Sequence, residues 1–140
     1  MRFWDASAVV QLLVAEEPSS PIDRVYESTA MVVWWGTVVE ATSALARRER
    51  EGGLTQGAAT RSFELLELLC STWREVPPSD LLRRSAQRLL RVHSLRAADS
   101  LQLAAALAVA GDAPGSLEFV CRDAKLTEAA SREGLKTVGL

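Results

Sequence analysis

Residues 30–50 read AMVVWWGTVVEATSALARRER, and this stretch decides the fold class. Residues 30–35 form an unbroken apolar, β-branched and aromatic run, the pattern of a strand buried on both faces. Gly36 ends the run. Thr37 then starts a helix reaching about Arg50, with Val38, Ala41, Leu45 and Arg48 spaced along it. A strand covered on both sides and followed at once by a helix is the repeating unit of a parallel α/β sheet.

The same alternation runs outward from this stretch. Upstream, residues 1–4 are a short apolar segment ending in Asp5, and 6–15 suit a helix broken by Pro18 and Pro21. Residues 22–28 read as a further short helix. Downstream, Gly52-Gly53 is a hinge, and Thr55 caps a helix over about 56–71 with an apolar stripe at Ala59, Phe63, Leu66 and Cys70. Residues 73–76 read as a short strand stopped by Pro77-Pro78. Ser79 caps a helix to about Val92 whose inner face is Leu82, Ala86, Leu89 and Leu90. An alanine-rich helix spans about 97–110, residues 117–121 form a strand, and 124–133 form a helix ended by Gly134. Residues 136–138 make a last strand. The pattern predicts one α/β domain over residues 1–140 around a mainly parallel sheet, with no internal repeat or linker.

Composition narrows the chemistry. The chain is 48% hydrophobic and 24% charged, which excludes low-complexity disorder. Its formal net charge of −2 argues against a general nucleic-acid coating protein, which would carry a strong basic excess. The single histidine, His93, excludes zinc fingers and multi-histidine metal centres. It reads as a packed or capping residue ahead of a helix rather than as a catalyst. Cys70 and Cys121 lack CxxC spacing, and two cysteines fit a reduced, cytoplasmic protein. The longest strictly apolar run, residues 30–35, is far short of the ~20 residues of a membrane span. Asp5 interrupts what would otherwise resemble the start of an export signal.

In open α/β sheets, ligands bind beyond the carboxyl ends of the strands. Four acids fall there. Asp5 ends the first strand, Glu40 lies in the first turn after the second, Asp99 starts the alanine-rich helix, and Asp123 follows the strand that closes at Cys121. Each has a local structural reading as well: Asp5 and Asp123 as N-caps, Thr37 with Glu40 as a capping box, Asp99 as a first-turn acid favoured by the helix dipole. Taken together, four carboxylates at one strand-end cleft repel one another and call for a hard divalent cation such as Mg²⁺ or Mn²⁺. A metal so held polarises a phosphodiester and activates water without a histidine. Setting these four acids aside, 16 basic residues face 14 acidic ones.

Four segments carry a resemblance to a known family. They are Arg2-Phe3-Trp4-Asp5-Ala6-Ser7 with Glu16-Glu17-Pro18 behind it; Val38-Val39-Glu40 with Ala44-Leu45; Leu95-Arg96-Ala97-Ala98-Asp99-Ser100-Leu101-Gln102; and Phe119-Val120-Cys121-Arg122-Asp123 with Leu126. In this order they resemble the PIN-domain ribonucleases, particularly the VapC-type toxins of type II toxin–antitoxin pairs, over nearly the whole chain. The resemblance implies a three-layer sandwich and a Mg²⁺- or Mn²⁺-dependent endoribonuclease. Asp5, Glu40, Asp99 and Asp123 would be its catalytic, metal-binding acids, and Ser7 a hydroxyl orienting the site. It also implies a cognate antitoxin and a homodimer as partners. Cys121 departs from the hydroxyl residue common at its position, and Glu118 lies too early on its strand to serve as a further acid. A different class remains open: a PIN-like binding module without catalysis. A phosphoacceptor or phosphatase domain fits poorly, because Asp5-Ala6-Ser7 lacks the second Asp of a DxD pair.

Fourteen of the sixteen basic residues are arginines. Arg96 and Arg122 flank the expected acids and suit contacts to RNA phosphates. Arg47, Arg48 and Arg50 cluster at one helix end, where a phosphate-gripping rim and a solvated surface of intramolecular pairs are both open readings. Of the paired Trp34 and Trp35, one should pack inward and the other can reach an interface, as can Leu65 and Leu68.

Overall fold

A computed structural model describes residues 1–15 and 30–139. The short helix expected over residues 22–28, the break at Pro18 and Pro21, and the Glu16-Glu17-Pro18 segment lie outside the described residues. Among the described residues, five strands and six α-helices follow in the order β1 (Arg2–Trp4), α1 (Ala6–Val14), β2 (Met31–Trp34), α2 (Thr37–Arg50), α3 (Gln56–Thr72), β3 (Arg74–Val76), α4 (Asp80–Val92), α5 (Ala97–Ala110), β4 (Glu118–Cys121), α6 (Ala124–Arg132) and β5 (Lys136–Gly139).

The sheet is parallel at every pairing, with strand order β3-β2-β1-β4-β5. The expectation of a mainly parallel sheet is therefore met in full. β1 lies in the middle and pairs with β2 on one side, Phe3 opposite Val32, and with β4 on the other, Phe3 opposite Phe119. The chain builds outward from β1 to β3, then returns to add β4 and β5 on the opposite flank. The carboxyl edge between β1 and β4 is thus a topological switch point, where α/β sheets open a crevice for ligands.

Alternation along each strand divides the core into two. Phe3, Val32, Trp34, Phe119 and Cys121 pack with Leu82, Leu89, Leu103 and Leu126 of α4, α5 and α6. Trp4, Met31, Val33 and Val120 pack with Val9, Leu45, Leu66 and Leu69 of α1, α2 and α3. The result is three layers. All four residues of β2 are buried, as a strand with apolar side chains on both faces must be. Phe3 and Phe119 stack with ring centroids 5.7 Å apart across the β1–β4 pair.

Several local expectations shift by a residue. On α3 the buried positions are Ala59, Ser62, Leu66 and Leu69, so Phe63 and Cys70 sit beside the stripe rather than on it. Ser62 tolerates burial because its hydroxyl donates to the Leu13 carbonyl at 2.9 Å. On α4 Leu90 is exposed, and on α2 Arg48 is exposed while Thr37, Ala41 and Leu45 face the core. Trp34 is buried and Trp35 is 55% exposed, dividing the pair as alternation requires. Thr55 and Ser79 cap α3 and α4 by accepting from Ala58 and Leu82. Gly134, with φ +93°, ends α6 in a conformation that glycine adopts without a Cβ penalty. Among the described residues no helix is long and apolar enough to cross a membrane.

Candidate active site

Asp5 emerges from β1 at the switch point and is 3% exposed. Its carboxylate accepts the Ala8 amide at 3.0 Å, so it is the N-cap of α1 as well as the first of the four acids. Ser7 donates its hydroxyl to the two Asp5 oxygens at 2.7 and 2.9 Å and accepts the Arg122 amide at 3.0 Å. One hydroxyl therefore ties the turn after β1 to the turn after β4. Burial holds the Asp5 carboxyl above its ordinary range, and the hydrogen bonds from Ser7 and Ala8 act against that rise.

Asp123 caps α6 by accepting the Leu126 amide at 2.9 Å. The Cys121 thiol stands where the resemblance implies a hydroxyl. It lies 3.8 Å from the Ser7 oxygen and accepts the Asp123 amide at 3.3 Å. Burial, with the nearby Asp5 charge, pushes the thiol up to about 12, so it is a neutral, weakly polar filler.

Glu40 lies in the first turn of α2, but the capping box expected for Thr37 and Glu40 does not form. Gly36 is the N-cap, and no side chain caps the helix. Thr37 is instead fully buried, and its hydroxyl accepts from the Gln102 side-chain amide at 3.0 Å. The same Nε2 donates to Glu40 Oε1 at 3.1 Å. Gln102, 1% exposed on α5, closes one of the four quoted segments, but its contacts to Thr37 and Glu40 were not legible in the sequence, because these partners lie more than sixty residues away. Burial pushes Glu40 up to about 7; the Gln102 hydrogen bond opposes this, and the charges of Asp5 and Asp99 add to it. Asp99, at the start of α5, is likewise raised by burial and by Asp123, with Arg96 acting in the other direction.

The electrostatic chain runs Asp5 to Glu40 to Asp99 to Asp123. Four segments distant in sequence deliver mutually repelling carboxylates to one end of the sheet. In donor type and charge this set fits a hard divalent cation. Among the described residues, no three acidic, histidine or cysteine side chains stand close enough as placed to ligate one ion. The acids thus supply the charge and the oxygen donors rather than a finished coordination shell.

Two cavities open on the acids. One of about 710 Å³ is lined by Glu40, Asp99, Asp123, Arg47, Arg96 and Lys125, among others. The other, of about 400 Å³, lies between α1 and α2 and is lined by Ser7, Gln11, Glu40, Arg47, Arg48 and Arg122, among others. Arg96 and Arg122 thus fall beside the acids, as expected. His93 closes α4, and its Nε2 lies 2.8 Å from Glu133 Oε2, an acid that Arg88 also engages.

The all-parallel three-layer sandwich, with strand order β3-β2-β1-β4-β5, is of the PIN-like α/β class. No family model matches the chain. Ribonuclease VapC45 and ribonuclease VapC49, from two strains of Mycobacterium tuberculosis, are each 36% identical to it over 124 residues, covering 81% of this chain and 78% of the relative. The chain belongs to the VapC ribonuclease family. Among solved structures, FitAcB from Neisseria gonorrhoeae matches with a TM-score of 0.66 at 17% identity, covering 98% of this chain and 96% of that one. PAE2754 from Pyrobaculum aerophilum matches with a TM-score of 0.66 at 22% identity, covering 98% and 83%. A toxin–antitoxin complex from Klebsiella pneumoniae matches with a TM-score of 0.59 at 14% identity, covering 89% and 88%.

Proposed function

We propose that this chain is a Mg²⁺- or Mn²⁺-dependent endoribonuclease that hydrolyses RNA phosphodiesters, acting as the toxin of a toxin–antitoxin pair. The observation that carries the reading is the convergence of Asp5, Glu40, Asp99 and Asp123 at the β1–β4 switch point, with Asp5 tied down by Ser7 and Glu40 by Gln102. Kinship with ribonucleases named VapC supports the activity.

These four carboxylates would hold the metal, which when bound supplies Lewis-acid polarisation of the phosphodiester and an activated water. Ser7 fixes the rotamer of Asp5. Gln102 fixes Glu40. Arg96 and Arg122 reach the RNA phosphates. His93 plays no part, because its imidazole is engaged with Glu133. A cognate antitoxin, supported by the toxin–antitoxin neighbour, a second copy of the chain and a cytoplasmic setting complete the reading.

Cleavage of single-stranded RNA with Mg²⁺ or Mn²⁺, abolished by EDTA and by Asp5→Asn or Asp99→Asn, is the expected result. Cleavage surviving Asp99→Asn in a clean preparation sinks the assignment. A second reading, a PIN-like module without catalysis, draws support from the open spacing of the acids. Calorimetric titration with Mn²⁺ separates the two: no binding at millimolar metal favours the silent module.

A further inference from the structure

The cavity between α1 and α2 carries a charge pattern that the acids do not account for. Three guanidinium groups, Arg47, Arg48 and Arg122, line it, and Glu40 is the one acid among the described residues that line it. Among the described residues none of the three forms an ion pair. Elsewhere on the surface Arg83 pairs with Asp80 at 2.6 Å, Arg132 with Glu128 at 2.7 Å, and Arg88 with Glu133. Arg50, Arg61, Arg74, Arg84, Arg91 and Arg96 likewise form no ion pair among the described residues, so what sets Arg47, Arg48 and Arg122 apart is that they line one cavity. Three positive charges against one carboxyl group in one cavity raise the free energy of the empty site and are relieved by a bound anion.

Arg47 lines this cavity and also the larger one that holds Asp99 and Asp123, and Glu40 is likewise common to both. The two spaces are thus neighbours across the α2 wall, one balanced between acids and bases, the other predominantly basic. The basic one also has an apolar floor, Ala6, Val10 and Ala44, and one neutral amide, Gln11. At about 400 Å³ it is the size of a small-ligand pocket rather than a duplex groove.

We propose that this lobe is a second binding subsite, taking the phosphodiester groups of single-stranded RNA adjacent to the bond that is cut. Arg47 and Arg48, with Arg122, hold phosphate oxygens there in bidentate fashion, and the apolar floor receives a ribose or base. The strand then crosses from the arginine lobe over Glu40 into the acidic cavity, with Arg47 at the crossing. The inference rests on the ribonuclease reading for the identity of the polyanion.

The test uses the full chain carrying Asp99→Asn, so that RNA stays uncut, and a fluorescent single-stranded oligoribonucleotide of about ten nucleotides, a length in the usual range of single-strand sites. Binding is followed by anisotropy across a salt series. Arg47→Ala with Arg48→Ala should weaken binding about tenfold at low salt and flatten the salt slope by about 1.4, about 0.7 per lost phosphate contact. Arg47→Lys with Arg48→Lys should restore the slope but only part of the affinity, since charge returns without the bidentate fork. Arg83→Ala, remote and paired with Asp80, serves as the control and should bind as the parent does. Unchanged affinity and slope in the double alanine variant overturn the proposal. So does a poly-glutamate peptide whose binding depends on these arginines while RNA binding does not, which would assign the lobe to an acidic protein segment. Arginine-dependent RNA binding, with no cleavage by the chain that retains Asp99 in Mg²⁺ or Mn²⁺, sinks the nuclease reading alone. Metal-dependent cleavage with an unchanged KM after the double substitution sinks this one alone.

Discussion

The side-chain amide of Gln102, on α5, donates to the carboxylate of Glu40, on α2, at 3.1 Å, and the same nitrogen reaches the buried Thr37 hydroxyl at 3.0 Å. Gln102 lies three residues after Asp99 on the same helix, so α5 presents one acid of the site and clamps another. Its carbonyl oxygen is buried without a partner, a cost accepted for orienting the amide.

Gln102→Leu should therefore act on the site through Glu40. Removing an outer hydrogen bond to a metal ligand typically costs about 10–100-fold in metal affinity or activity. Loss of the Thr37 contact adds about 1–3 kcal/mol of destabilisation, since that hydroxyl is buried. Calorimetric Mn²⁺ titration and thermal melts measure the two effects separately. An unchanged Mn²⁺ affinity would show that Glu40 needs no clamp.

Stability of the metal-free chain should fall as pH rises toward neutrality. Glu40 has a folded value of about 7 against an ordinary 4.5, so between these values the folded state holds a proton the unfolded state has released. Its contribution is fully present below about 4.5 and is lost as pH rises through about 7. Asp5 and Asp99 are shifted in the same direction. Melts in EDTA should show a lower Tm at pH 8 than at pH 5.5, and Glu40→Gln should shrink that difference. A Tm that climbs steadily over this interval would contradict the burial of these carboxyls.

Ser7→Ala removes both hydrogen bonds to Asp5 and the acceptor for the Arg122 amide. Activity should drop about 10–100-fold, as for other residues that orient a ligand. The accompanying stability loss should be small, about 1 kcal/mol, because the Ala8 amide still caps Asp5. Ser7→Thr should restore most of the activity. Activity untouched in Ser7→Ala would remove Ser7 from the site.

Cys121 should resist thiol reagents in the native chain. It is 1% exposed, and its thiol sits at about 12, leaving almost no thiolate near neutral pH. Mass spectrometry after native iodoacetamide treatment should find Cys121 unmodified until denaturant is added. Cys121→Ser should keep the fold and strengthen the contact to Ser7, because a hydroxyl is the better hydrogen-bonding group.

The sequence by itself determined most of the secondary elements and pointed to four acids at strand ends and helix starts. α2 and α5 begin and end where periodicity and breakers place them, at Thr37–Arg50 and Ala97–Ala110, and Thr55 and Ser79 cap as their positions predict. Such signals are local, carried by residues three or four apart whose energetics need no partner from elsewhere. The tertiary structure decided what those elements do to one another. It placed β1 between β2 and β4, chose Ser62 and Leu69 over Phe63 and Cys70 for the core, and made Thr37 part of a clamp rather than a cap. It also showed which arginines lack a counter-charge. These outcomes depend on contacts between residues tens of positions apart, where the choice between two equally good helical faces, or two equally good hydrogen-bond partners, is settled only when the layers pack.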